Sequence, residues 1–204
     1  RPHRSNLVQK AMQARVRHNY EPVRIAALRW LAEEPNASLE SHLKQRWAER
    51  AISDVERVAL LDAAGPAGAT LVVEDTERWL NAPDAALRSA VIRALMRSPV
   101  AEHAQTARRV LATMLESRQP EEATEALRLV HDHKVEEFLP TVLSRLQDED
   151  QTIRREVLNC LAAFREERAM KPLWAALSEP TLAHVAARAL SSSGEAILPQ
   201  VLSL

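Results

Sequence analysis

The sequence predicts an all-α protein, an α-solenoid of about six stacked antiparallel helix pairs, and three observations carry that expectation. Apolar stripes with helical spacing recur along the whole chain. Only three glycines occur in 204 residues, which leaves no room for hairpins, phosphate loops or dinucleotide fingerprints. Runs of β-branched residues with period two are absent. With 46% apolar content but 3% aromatics, the chain can bury a substantial core that Ala and Leu must fill.

The stretch from Asp150 to Leu177 shows the unit most clearly, as helix, tight turn, helix. Ile153, Val157, Cys160 and Leu161 stand at offsets 0, 4, 7 and 8, one face of a helix. Ala169, Met170, Leu173, Trp174 and Leu177 repeat the stripe after the Arg165-Glu166-Glu167 turn, with Pro172 in the first turn or two. Such a pair cannot bury both faces alone and needs neighbouring pairs.

Aligned on Ile153, six copies begin at Val23, Val55, Leu87, Glu122, Ile153 and Leu182, with separations of 32, 32, 35, 31 and 29. Offset 4 holds Ala27, Ala59, Val91, Ala126, Val157 and Ala186, and offset 8 holds Leu31, Ala63, Leu95, Val130, Leu161 and Leu190, both wholly apolar. Partner helices are expected at Asn6 to His18, Leu39 to Arg50, Leu71 to Leu80, Ala101 to Ser117, Val135 to Leu146, Arg168 to Leu177, and from Glu195 onward. Turns are marked at Glu33-Glu34-Pro35-Asn36, Gly65-Pro66, Ala82-Pro83-Asp84, Ser98-Pro99, Gln119-Pro120, Glu179-Pro180 and Ser191-Ser192-Ser193-Gly194. One repeat domain, 1–204, is expected, with repeats near 5–34, 37–66, 69–98, 101–132, 134–164 and 166–193 and a partial one at 194–204. Asp62 at offset 7 of the second copy and Glu122 at offset 0 of the fourth predict looser packing or shifted boundaries there.

The segments PDAALRSAVIRAL (Pro83 to Leu95) and DQTIRREVLNCL resemble the second helix of HEAT repeats. RAMKPLWAAL (Arg168 to Leu177), FLPTVLSRL (Phe138 to Leu146) and AILPQVLSL (Ala196 to Leu204) resemble the first, with Pro140, Pro172 and Pro199 at equivalent positions. The closest likeness is to the short HEAT subtype of phycobilisome lyase-like proteins. The usual glycine before the first helix is replaced by His131-Asp132 and by Arg165-Glu166, which predicts wider turns. The resemblance implies a right-handed superhelix with second helices on its concave side, and a role in scaffolding or partner binding rather than chemistry.

Net charge is −1, yet residues 1–30 carry seven basic residues (Arg1, Arg4, Lys10, Arg15, Arg17, Arg24, Arg29) against Glu21 alone. That start suits a solvated helix face, contact with an acidic partner, or a place beside a membrane domain. The single Cys160 excludes an internal disulfide and suits a reducing, cytoplasmic setting, and no apolar run is long enough to span a bilayer. The sequence begins without methionine and stops inside an expected helix, so a fragment of a longer chain is expected.

The candidate interaction residues form a column. Offset 6 holds Arg29, Arg93, Arg128 and Arg188, and offset 2, beside it, holds Arg57 and Arg155. Offset 6 lies about 145° from the centre of the apolar stripe, and arginine forks suit carboxylate or phosphate. The expected partner is therefore a protein, either an acidic segment or an adjoining domain of a longer chain. The bland alternative is solvent decoration, because Glu125 and Glu156 lie near the same face. A cytoplasmic regulatory HEAT domain tethered to a membrane transporter is an alternative reading. Nucleic-acid binding through the same arginines is another, opposed by the net charge and by only four lysines.

A second column has a structural explanation. Arg24, Arg88 and Arg154 each follow an acid, Glu21, Asp84 and Asp150, which can cap a helix N-terminus and pair with the arginine one turn on. HEAT repeats resemble this in stacking such pairs as a ladder between copies. No catalytic residue, cofactor or metal is expected. His131-Asp132-His133 with Glu136 and Glu137 has suitable side chains but no ligand spacing, Cys160 holds a core offset, and Trp30 and Trp47 are expected in the core.

Overall fold

The computed structural model describes residues 6–33, 39–49, 51–164 and 166–192. The expected turn residues Glu34, Pro35, Asn36, Ser193 and Gly194, the basic Arg1 and Arg4, and the partial repeat from Glu195 with Pro199 lie outside them. Among the described residues the regular structure is helical throughout, with no strand. The chain divides into two compact units, 1–108 and 109–204.

In the first unit, α1 (Asn6–Arg15), α3 (Glu40–Trp47) and α6 (Thr76–Leu80) alternate with α2 (Glu21–Ala32), α4 (Asp54–Ala64) and α7 (Ala85–Met96). α2 and α7 begin two residues before their first aligned apolar positions, Glu21 before Val23 and Ala85 before Leu87, and α4 begins one before Val55, at Asp54. The layer is built from these second helices: α2 packs on α4 and α4 on α7, while α1, α3 and α6 each lie on their own partner. Ala27, Leu28 and Leu31 of α2, Ala59 and Leu60 of α4, and Ala90, Val91 and Leu95 of α7 are buried between them. Alanines at the contact let the helices approach closely while the leucines fill the gaps.

The irregularity of the second copy shows as a rotation of α4. Val55, expected in the core, is 52% exposed, while Glu56 and Leu61 are each 1% exposed. Asp62 consequently stands at the edge, where Arg93 reaches it at 3.2 Å and Arg97 at 3.9 Å. The partner helix expected from Leu71 to Leu80 is broken into α5 (Ala69–Val72), a 3-10 turn (Val73–Asp75) and α6. The β-branched pair Val72-Val73 favours helix poorly, and the Thr76 hydroxyl donates to the Val72 carbonyl at 3.0 Å, competing with the regular ladder. Gly65 ends α4 at φ 56°, which strains any other residue with ψ −127°. A Cβ on Gly68 would stand 3.1 Å from the Leu61 carbonyl oxygen and 3.2 Å from the Ala94 Cβ, so a side chain in this turn would require α4 or α7 to give by a few tenths of an ångström.

The boundary between the units falls within α8 (Ala101–Leu115). The second unit continues with α9 (Pro120–His133), α10 (Leu139–Ser144), α11 (Gln151–Leu161), α12 (Glu167–Ala176) and α13 (Ala183–Ser192). Here α11 packs against α9 on one side and α13 on the other, with α10 and α12 laid on it. Ile153, Val157, Leu158, Cys160 and Leu161 are all buried. In α9 the first buried residue is Ala123 rather than Glu122, a one-residue shift that keeps the acid half-exposed. The expected helix from Val135 to Leu146 has 3-10 turns at both ends, Glu136–Phe138 and Arg145–Gln147. Pro140 stands in the first turn of α10, whereas Pro172 is the sixth residue of α12 and removes an interior hydrogen bond. The Arg145 guanidinium donates to the carbonyls of Leu115 at 2.7 Å and Ser117 at 3.0 Å, satisfying the open end of the helix one copy earlier.

Lys134 ends α9 in the left-handed conformation, φ 50° and ψ 50°, with its N–H bonded to the Val130 and His131 carbonyls. A Cβ is disfavoured there by about 1 kcal/mol. Lys134→Gly is therefore expected to stabilise the second unit by about 1 kcal/mol, read as a raised urea midpoint with unchanged slope. No gain would mean that the Lys134 side chain contributes as much as the strain removes. No helix among the described residues is long and apolar enough to cross a membrane.

Candidate interaction face

The arginines of the sixth offset sit at the margin of the second-helix layer, and most are tied sideways to the neighbouring copy. Arg93 on α7 holds Asp62 of α4 with Nη2 3.2 and 3.3 Å from the carboxylate oxygens. Arg128 on α9 donates from Nε to Glu156 of α11 at 3.2 Å while 66% of its side chain stays exposed. Arg188 on α13 reaches the Asn159 side-chain oxygen at 3.4 Å. Arg155 on α11 lies one turn before Asn159 and is exposed, with no acid partner among the described residues. Three exposed guanidiniums thus stand on three successive second helices of the second unit. In the first unit Arg29 is exposed on α2 and Arg93 is half-buried.

Arg57 stands apart from that column. Its guanidinium carbon lies 5.0 Å from the Trp47 ring centroid and 4.8 Å from that of Trp79, and Nη1 donates to the Trp47 carbonyl at 3.2 Å. The two indoles meet edge to face, centroids 4.9 Å apart. Burial pushes the Arg57 pKa down, Asp54 at 3.9 Å opposes that, and the cation fastens α3 and α6 to α4. Arg78 lies over the same Trp79 ring at 4.8 Å.

Of the ladder residues, Asp84 and Asp150 cap their helices, accepting from the Leu87 N–H at 2.8 Å and the Thr152 N–H at 2.6 Å. Those N–H bonds lower the Asp150 pKa, Thr152 contributing most. Arg88 donates to the carbonyls of Ala82 and Pro83 at 2.8 and 3.1 Å, and Arg154 lies 3.6 Å from Glu179. Glu21 instead accepts from the Ser53 hydroxyl of the next copy, and Arg24 engages Glu56.

Glu56 is the centre of the first unit, and a strictly local reading overlooks it. Its Oε1 accepts from Arg24 Nε and Arg46 Nε, both at 2.8 Å, and its Oε2 from Arg24 Nη2 at 2.8 Å and Arg46 Nη2 at 3.0 Å. The carboxylate is gripped by two forks, one from α2 and one from α3. Burial by itself raises its pKa, but the hydrogen bonds from Arg24 and Arg46 outweigh this and hold it at about 2. The signal lay across copies, because Arg24 and Glu56 share offset 1 in consecutive repeats.

Cys160 is 1% exposed, and burial pushes its thiol pKa up, away from a reactive thiolate. His131 and Asp132 are exposed and 3.3 Å apart near the end of α9, and no group of three or more His, Cys, Asp or Glu among the described residues is placed to hold a metal. Trp47 is 8% exposed and Trp30 half-buried.

Among curated proteins, none matches this sequence. A crystal structure described as that of an engineered protein aligns at 16% identity with a TM-score of 0.40, covering 93% of this chain and 99% of that one. Residues 107–194 match the family model described as HEAT repeats, which supports the HEAT repeat superfamily for the stacked helix pairs.

Proposed function

We propose that the protein is a non-catalytic interaction module whose exposed second-helix arginines bind an acidic segment of a protein, a neighbouring domain of a longer chain included. The observation that carries this reading is the set Arg128, Arg155 and Arg188, exposed on α9, α11 and α13. HEAT repeats commonly mediate protein–protein interaction. Glu156 tempers one guanidinium and Asn159 orients another, but Arg128 and Arg188 keep most of their donors for a carboxylate ligand. Arg29 and Arg93 are the corresponding residues of the first unit.

The test is a pull-down from native extract with the full chain and with an Arg128→Glu, Arg155→Glu variant, circular dichroism confirming that both are equally helical. A specific protein partner retained by the parent chain should be lost by the variant. The same partners on both would make the column solvent decoration. Capture abolished by nuclease treatment, with steep salt dependence, would replace the protein partner by nucleic acid.

A further inference from the structure

A cleft of about 600 Å³ lies in the first unit, between the α1–α2 turn and α3, lined by Arg17, His18, Arg24, His42, Arg46 and Glu49 among others. Its charges separate into those already satisfied and those not. Arg24 and Arg46 commit their forks to Glu56. The Arg24 Nη1 donates to the carbonyls of His18 and Asn19, each at 2.9 Å, and the Arg46 Nη1 donates to Glu49. Glu56 and Glu49 offset those two cations.

Arg17 and two imidazoles are left. Arg17 is exposed and has no acid partner among the described residues. His18 Nδ1 accepts from the Tyr20 N–H at 3.0 Å, so in the neutral ring Nε2 carries the proton and is a donor. His42 also lines the cleft, with its Nε2 buried and without a hydrogen-bond partner among the described residues. An unpaired cation beside an imidazole donor is an incomplete arrangement that an oxyanion can complete.

We infer that this cleft binds a small oxyanion, a carboxylate or a phosphate, through the Arg17 guanidinium and His18 Nε2, with the His42 ring in its wall. The size fits a small molecule rather than a protein surface. The site is separate from the arginines of α9, α11 and α13, so it stands or falls independently of the protein-binding face.

Binding couples to protons. Burial, and then the charge of Arg17, pushes the His42 pKa down, with Arg46 acting the same way and Glu49 and the Val16 backbone opposing. Arg24 from α2 and Glu56 from α4 are the remaining charges of the cluster beneath the cleft. A bound anion offsets the charge of Arg17, which adds to burial in holding the His42 pKa down, so that pKa is higher in the complex than in the free protein. Affinity is then greatest below the pKa of the free protein and weakens as pH rises from there through the pKa of the complex.

The experiment follows the His42 ring resonance of the full chain during titration with inorganic phosphate and, separately, succinate, at constant ionic strength set with sodium chloride. A saturable shift with a dissociation constant of about 1 mM or tighter and a raised His42 pKa is expected. Arg17→Gln, an exposed change that leaves the fold intact, should weaken binding about tenfold. Arg15→Gln should leave it unchanged, since Arg15 donates to the Ala11 carbonyl of its own helix. Saturation by phosphate alone identifies a phosphate site, and saturation by both identifies a general oxyanion site. A response no different from that to chloride, or equal affinity in Arg17→Gln, would overturn the inference.

Discussion

Glu56→Ala is expected to destabilise the first unit by about 3–5 kcal/mol, because removing the shared anion leaves two guanidiniums facing each other without their counter-charge. Arg24 and Arg46 each give Glu56 two hydrogen bonds of 2.8 to 3.0 Å, and their side chains are only 11% and 16% exposed. Neither can swing into water without giving up its other contacts, Arg24 to the His18 and Asn19 carbonyls and Arg46 to Glu49. Trp47 follows Arg46 directly in α3, so urea unfolding watched by tryptophan fluorescence reports on this cluster. A loss below about 1 kcal/mol, the range of exposed ion pairs, would show that water relieves the arginines. The pH dependence has a definite sign. The folded carboxyl titrates at about 2, below its ordinary 4.5, so its contribution is complete above that ordinary value and is lost as pH falls from about 4.5 through about 2. Glu56→Gln should flatten that acid limb while lowering stability at neutral pH.

Leu161→Ala is expected to cost the second unit about 2–5 kcal/mol, a transfer loss with a cavity added. Leu161 is 0% exposed, at the end of α11, the helix held between α9 and α13. A cavity there closes only if one of those helices moves, and each is fixed by further buried residues, Ala126 and Val130 in α9 and Ala186 and Leu190 in α13. The cost therefore belongs in the upper part of the range. Leu177→Ala is the matched control: at 37% exposed, it should stay within about 1 kcal/mol of the parent chain. Equal effects from the two leucines, measured as shifts of the urea midpoint, would mean that α11 is not the packed centre of its unit.

These cases show what the sequence alone could and could not provide. The second helices were legible because packing demands apolar residues at fixed offsets, and α7 and α11 also announce their starts through the caps Asp84 and Asp150. The rotation of α4 was hidden, since a glutamate at a helix surface is ordinarily solvated. Glu56 is buried only because Arg46, ten residues away, and Arg24, thirty-two away, both arrive at it. Arg57 was assigned to an outward face by angle alone. Its actual neighbours, Trp47 and Trp79, are equivalent residues one period of 32 apart, a relation visible only when partner helices are aligned with each other. Of the arginine column, composition and spacing yielded position but not the lateral bonds to Asp62, Glu156 and Asn159, which depend on how each helix is turned against the next.

The ties between copies have nearly the same reach along the chain: 32 residues from Arg24 to Glu56, 31 from Asp62 to Arg93, 30 from Leu115 to Arg145, 28 from Arg128 to Glu156 and 29 from Asn159 to Arg188. The entropy of closing a loop grows only with the logarithm of its length, so each closure costs about as much as the last and none must await a distant partner. Low contact order of this kind favours fast assembly from any adjacent pair. During synthesis at roughly 5–20 residues per second, the segment needed for the next closure leaves the ribosome every roughly 2 to 6 s. Each new helix pair can then dock on one already formed, so the chain need never expose more than one unfinished repeat at a time.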